Sequence, residues 1–184
     1  MNKKVYHITT AIHDSRTSSR MIKYQVRERR EMGTNPYPNI FYFTEDEELL
    51  VTQIISKIVK EDNLQLLAYN ICSDHIHLLL SCDIDEVSKI MQKIKGRTSF
   101  LLNKEKENQK HKGFKPLVED KKKQKQKPIW QQKYSAPKEI TSVKQLENTI
   151  KYIQTNRSKH QLPPHKDNLQ NIIDGMCCSI DGIF

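Results

Sequence analysis

No window of this 184-residue sequence approaches the about twenty apolar residues that a membrane-crossing helix needs, so no membrane partner is expected. The residues after Met1-Asn2-Lys3-Lys4 are equally poor in apolar runs, being interrupted by His7, Thr9 and Thr10, and no secretory leader is expected. No internal repeat is visible. Cysteine is sparse. Cys72, Cys82, Cys177 and Cys178 are the four thiols, and a cytoplasmic location in which they stay reduced is the expectation. The vicinal pair Cys177-Cys178 carries no assigned role. Acidic residues are also in deficit, with 22 Asp and Glu against 31 Lys and Arg, a formal net charge of +9. That balance favours an anionic partner, with nucleic acid the leading class.

The positive charge is concentrated. Between Asn103 and Pro128 there are ten lysines against four acidic residues, a net of +6 within one segment. Such a run reads either as a solvated loop or as an arm that contacts phosphates. The length fits one domain, 1–184, with this basic flexible insertion at about 103–128 and a tail at about 160–184.

The stretch Asp74-His75-Ile76-His77-Leu78-Leu79-Leu80 organises the rest. On a strand, His75 and His77 share one face and Ile76, Leu78 and Leu80 the other. One face can pack on a core while the other offers two imidazoles, which are common ligands for divalent metals. Asp74 before them can shape a turn or orient a ligand histidine.

Around this stretch, Val5–Ile12 reads as a first strand, Asp14–Arg30 as a helical insertion, and Ile40–Phe43 as a short strand or apolar anchor. Thr44 and Glu47 have capping-box spacing and open a helix whose stripe is Leu49, Leu50, Ile54, Ile55 and Ile58. Leu64–Cys72 is a strand, and Ser73-Asp74 turns into the histidine strand. A second helix starts at Asp85 and is interrupted at Gly96. Its polar side carries Lys93, Lys95 and Arg97. Ile129–Tyr134 is expected to supply the last strand. Thr141 or Ser142 caps a third helix reaching about Asn156, and Leu169, Ile172, Ile173 and Met176 mark a docking helix in the tail. This order predicts an α+β fold, a ferredoxin-like sandwich. It has an antiparallel sheet with helices on one face plus a C-terminal catalytic helix.

The third helix is amphipathic about Val143, Leu146, Ile150 and Ile153. At about 100° per residue, Tyr152 lies about 180° and Asn156 about 220° from Val143, well off the centre of that stripe. A tyrosine hydroxyl near a metal-bound phosphate is a competent nucleophile for phosphodiester cleavage, and an amide can complete a His-His-amide metal site.

Together these residues resemble the HUH-superfamily single-tyrosine transposases of the insertion-sequence-200 and REP-associated type. The run YNICSDHIHLLLSC is similar to that family's histidine strand, and IMQKIKGRTSFLLN to the helix after it. IWQQKYSAPKEITSVKQLENTIKYIQTN resembles the later block with its Tyr-Ile-x-x-Asn or Tyr-Ile-x-x-Gln ending. The resemblance implies that His75, His77 and Asn156 bind Mg²⁺ or Mn²⁺. It also implies that Tyr152 forms a 5′-phosphotyrosine intermediate on single-stranded DNA with hairpin-containing ends. Lys93, Lys95, Arg97, Lys121, Lys122, Lys123 and Trp130 are the expected DNA contacts. Whether the tyrosine helix serves its own chain or is exchanged in a homodimer is left open.

Other chemistries fit less well. Histidine-triad hydrolases need a third histidine where Leu79 stands. Two-histidine phosphoesterases need two His-x-Thr or His-x-Ser motifs, and His7-Ile8-Thr9 supplies one. A zinc site from Cys72, His75, His77 and Cys82 would need Cys82 on the histidine face, but strand alternation puts it opposite. A non-catalytic, transposase-derived nucleic-acid-binding protein is the alternative of a different class.

Overall fold

In a computed structural model of the chain, which describes residues 3–12, 42–111 and 129–180, the elements alternate as the periodicities predict. They are β1 (Lys4–Ala11), α1 (Glu45–Glu61), β2 (Gln65–Cys72), β3 (His75–Cys82) and α2 (Ile84–His111). After these come β4 (Lys138–Ile140), α3 (Val143–Gln154), the single turn α4 (Asn156–Lys159) and α5 (Asp167–Met176). The expected helical insertion Asp14–Arg30, residues 40 and 41 of the expected anchor, and most of the lysine-rich insertion lie outside the described residues.

The four strands pair antiparallel throughout in the order β2-β3-β1-β4, which is the ferredoxin-like arrangement. β1 and β3 occupy the centre, and β3 is buried on both faces. Every β3 residue from His75 to Leu80 is buried. The β2–β3 hairpin closes through Ser73-Asp74, as the turn residues predict.

α1 begins where its capping box places it. Thr44 N–H donates to Glu47 Oε2 at 2.8 Å and Glu47 N–H to Thr44 Oγ1 at 3.3 Å. Four acidic residues in its first turn complement the helix dipole. Its apolar stripe, Val51, Ile54, Ile55 and Ile58, packs with Val87, Met91 and Ile94 of α2 over Ile8, Ile71, Ile76, Leu78 and Leu80 of the sheet. α5 joins this layer through Leu169, Ile173 and Met176. No helix of the described residues is long and apolar enough to cross a membrane.

On the other sheet face Leu146 and Ile153 of α3 pack against Val5, Leu67, Ala68, Leu79 and Ile140. A bulge between Leu66 and Ala68 puts Leu67 and Ala68 together under that helix. α3 covers only part of the face. The remainder is where the histidines lie.

Three expectations need correction. α2 runs unbroken through Gly96, where a helical backbone has open space around it, and continues to His111. The first residues of the expected flexible insertion are thus helical. The last strand is Lys138–Ile140 and not Ile129–Tyr134. Ile129 and Trp130 turn into the core, leaving only one bridge, between Trp130 and Ile12. The third helix stops at Gln154, one residue before Thr155 makes a break ahead of α4.

Candidate active site on the second sheet face

Strand alternation and register bring the chemistry together. His75 and His77 lie on the α3 side of β3. Their β-ladder partners place Thr9 beside His77, with His7 two residues before Thr9 on the same face of β1. Asn70 and Cys72 of β2 are the partners of His77 and His75 on the other flank. The two imidazoles are buried, with ring centroids 5.0 Å apart and planes nearly perpendicular.

His75 is held at both nitrogens. Its Nδ1 is 2.6 Å from Asp74 Oδ1 and its Nε2 is 2.9 Å from Asn156 Oδ1. Burial works against a charged ring here, but the Asp74 carboxylate and Cys72 outweigh it and raise its pKa to about 10. Asp74 therefore orients the histidine as well as shaping the turn. Cys72 Sγ–H donates to the same Asn156 oxygen at 3.3 Å.

His77 differs. Its Nδ1 lies 3.0 Å from both His7 Nε2 and Thr9 Oγ1, while its Nε2 is buried with no hydrogen-bond partner. Burial, then the neighbouring His75 and His7, push its pKa down to about 3, so the ring is neutral. A buried polar nitrogen without a partner is expensive unless something else completes it.

Tyr152 stands over this pair. Its ring meets the His77 ring edge-on at 5.5 Å and the His7 ring at 6.0 Å between centroids. It is 41 % exposed, so it is open to a ligand arriving from solvent. The Lys159 ammonium is 4.1 Å from the Tyr152 ring centroid, and the His160 ring is 5.0 Å from that of His75.

Two anchors set these side chains. Asn70 Nδ2–H donates to Ile153 O at 2.5 Å, pinning the end of α3 beside the sheet. His165 in turn lies 2.9 Å from Asn70 Oδ1. Buried Arg157 donates from Nη1 to Glu48 Oε2 at 2.8 Å and to Ile71 O at 2.9 Å, and from Nε to Pro163 O at 2.8 Å. It thereby fixes α4, whose first residue is Asn156, between α1 and β2.

To hold a divalent cation, His77 would offer its buried, unpartnered Nε2, and His75 would first give up the Nε2 proton that it donates to Asn156 Oδ1. Among the described residues no three of His, Cys, Asp and Glu converge on a metal position. Asn156 Oδ1 is the side-chain oxygen beside His75 that could serve as an oxygen donor. Mixed nitrogen and oxygen ligation leaves room for phosphate oxygens and water around Mg²⁺ or Mn²⁺. Cys82 faces the opposite core, so it takes no part.

Tyr152, His75, His77 and Asn156 are therefore brought into one cluster. The other expected contacts are not brought there. Trp130 is buried against Phe43 and donates its indole N–H to Thr98 Oγ1 at 2.7 Å. It is a core residue, which corrects its reading as a DNA contact. Lys93 pairs with Asp62 at 2.6 Å, and Arg97 pairs with Glu61, both across the α1–α2 groove on the far side of the sheet. Lys95 is spent on the carbonyls of Gln131 and Gln132, at 2.5 and 2.9 Å. Lys121, Lys122 and Lys123 lie outside the described residues. Sequence reasoning did not find His7, Thr9, Asn70, Lys159 or His160. The signal for the first two was present in the His-x-Thr spacing of β1.

The family model described as "Transposase IS200 like" matches residues 38–156, well over half of the chain, and this span contains His75, His77, Tyr152 and Asn156. No curated protein sequence matches. A solved structure described as a REP-associated tyrosine transposase bound to a REP hairpin is similar at 16 % identity with a TM-score of 0.49. The likeness covers 87 % of this chain and 70 % of that one.

Proposed function

The chain belongs to the IS200-like transposase family, and on that premise we propose that it cleaves and rejoins single-stranded DNA with Tyr152 as nucleophile. The observation that carries this reading is the meeting of Tyr152 with His77. Two residues far apart in sequence lie with ring centroids 5.5 Å apart, and Asn156 reaches His75 beside them. The substrate class, DNA with hairpin-containing ends, follows the family resemblance and the +9 charge. Acting on DNA, the enzyme would work in the cytoplasm.

His75, His77 and Asn156 would hold a Mg²⁺ or Mn²⁺ ion, which would polarise the scissile phosphate and offset its charge. The chain's own residues do the rest. Asp74 and Cys72 hold His75 and Asn156 in place. Lys159 sets a positive charge against the Tyr152 ring, where an anionic backbone must arrive. The Tyr152 hydroxyl oxygen attacks phosphorus, the bond from phosphorus to the 3′ oxygen breaks, and the displaced proton ends on that oxygen. The products are a 5′-phosphotyrosine and a free 3′-hydroxyl. The cut bond is exchanged for another phosphodiester, so a 3′-hydroxyl can attack in reverse and rejoin strands without ATP.

The test is incubation with a pool of 3′-labelled hairpin-forming single-stranded oligonucleotides and Mn²⁺. The wild-type protein should acquire a label that survives denaturing gels, and Tyr152→Phe should not. Metal-independent binding with no adduct in either protein would leave the chain a DNA-binding protein only.

A further inference from the structure

The contacts of His77 raise a question that the proposed chemistry does not answer. A neutral imidazole carries one proton and can bear it on either nitrogen, and only the bare nitrogen can accept a metal. At His77 the two nitrogens have very different surroundings. Nδ1 has two neighbours at 3.0 Å, Thr9 Oγ1 and His7 Nε2, and both can accept a hydrogen bond. Nε2 has no hydrogen-bond partner and is buried. A proton on Nε2 would be a buried donor with no acceptor at full hydrogen-bond distance, the Asn156 side chain interacting only weakly with the ring, whereas a proton on Nδ1 has two acceptors at 3.0 Å.

We propose that His7 and Thr9 are positioning residues that keep the proton of His77 on Nδ1, so that the Nε2 lone pair is presented to the site formed with His75 and Asn156. The inference rests on reading that cluster as a metal site, but the proton placement is a property of the metal-free protein. The arrangement is built into the fold. β1 and β3 are the central strands, Thr9 is the ladder partner of His77, and His7 lies one pleat further along on the same face. The His7 ring stacks on that of His77 at 5.2 Å with planes 27° apart, which limits rotation of the His77 ring. His75 is oriented differently, by the Asp74 carboxylate at its Nδ1. The two imidazoles would thus be aimed by different devices. A carboxylate holds one, and a hydroxyl and an uncharged ring hold the other.

This gives His7-Ile8-Thr9 a role unrelated to a second catalytic motif. It also explains why a histidine sits at residue 7, facing the tyrosine helix, in a strand that is otherwise apolar or β-branched on both faces from Val5 to Thr10.

The experiment is a long-range ¹H–¹⁵N correlation spectrum of the metal-free protein near neutral pH, which separates the two tautomers of His77, paired with Mn²⁺ binding followed by electron paramagnetic resonance. The wild type should show His77 protonated on Nδ1. His7→Ala/Thr9→Val should lose that preference and bind Mn²⁺ about 10- to 100-fold more weakly, in the range typical for partners of metal-binding histidines. His7→Gln/Thr9→Val restores an acceptor and should recover both. A wild-type His77 protonated on Nε2 overturns the proposal, even if the double variant does not fold. So does a folded double variant with unchanged tautomer and Mn²⁺ affinity. A wild type with the expected tautomer that binds no Mn²⁺ would sink the metal-site reading and leave the proton placement standing.

Discussion

Replacing Arg157 by methionine should destabilise the protein more than any exposed charge change, and by an amount that depends on pH. Arg157 and Glu48 are 7 % and 4 % exposed. The guanidinium is shared between the Glu48 carboxylate and the carbonyls of Ile71 and Pro163. Methionine keeps much of the side-chain volume but strands the carboxylate and both carbonyls. Breaking a buried pair in this way costs about 3–5 kcal/mol. Glu48 already titrates above the ordinary carboxylate value of 4.5, because burial outweighs the pull of Arg157. Without Arg157 its pKa rises further. A carboxyl whose folded pKa exceeds its unfolded value holds its proton more tightly when folded. The deficit is therefore full above the variant's raised folded value and shrinks as pH falls through it. Urea unfolding followed by the fluorescence of the buried Trp130 measures this directly. Glu48→Leu/Arg157→Met removes both charges and should recover part of that loss, while the carbonyls of Ile71 and Pro163 stay without their donor. A single-variant cost below about 1 kcal/mol, or one that does not change with pH, refutes the reasoning.

Asn70→Ala should remove the bond to Ile153 O and cost about 1–3 kcal/mol, with a larger loss of adduct formation than of stability, read by urea unfolding and the labelling assay. Trp130→Phe should lower stability by about 1–3 kcal/mol through the missing Thr98 bond, and should leave the salt dependence of DNA binding unchanged in filter binding. Replacing Lys121, Lys122 and Lys123 with alanine should flatten that salt dependence, by a slope of about 0.7 for each single-strand phosphate that is no longer neutralised. An unchanged slope would assign the lysine run to a spectator role.

How far the sequence could be read followed from how local each signal was. The capping box of α1, the hairpin at Ser73-Asp74 and the stripes of α1 and α3 depend on residues within a turn or two of each other, and they were legible, except that Val143 at the start of α3 is exposed and outside the core. β4 was not, because a three-residue edge strand reading Lys138-Glu139-Ile140 has no alternation to detect, while Ile129-Trp130 resembles a strand and is used as core. Gly96 suggested a break because propensity cannot see that a long helix packed on α1 tolerates one glycine. In the site, His75, His77 and Tyr152 were visible because period-two and period-3.6 geometry puts each on an identifiable face. The partners His7, Thr9 and Asn70 required the strand register, which pairs residues far apart in the chain or joins neighbouring strands. The partners of Lys93 and Arg97 were hidden for a related reason. The basic charges are plain in the sequence, but Asp62 and Glu61 opposite them are plain only in space.

The separation of the histidine strand from the tyrosine helix also sets a timetable for synthesis. Chains emerge at about 5–20 residues per second, so the roughly 75 residues between His77 and Tyr152 take about 4–15 s. During that interval β1, β2 and β3 can pair and α1 can cover them, yet the imidazole face has no hydroxyl above it and Asn70 has no helix to pin. On the proposed chemistry, a nascent or truncated chain ending before Val143 can hold a strand but cannot cut it. On that chemistry the chain is disarmed until the tyrosine helix has been made and docked.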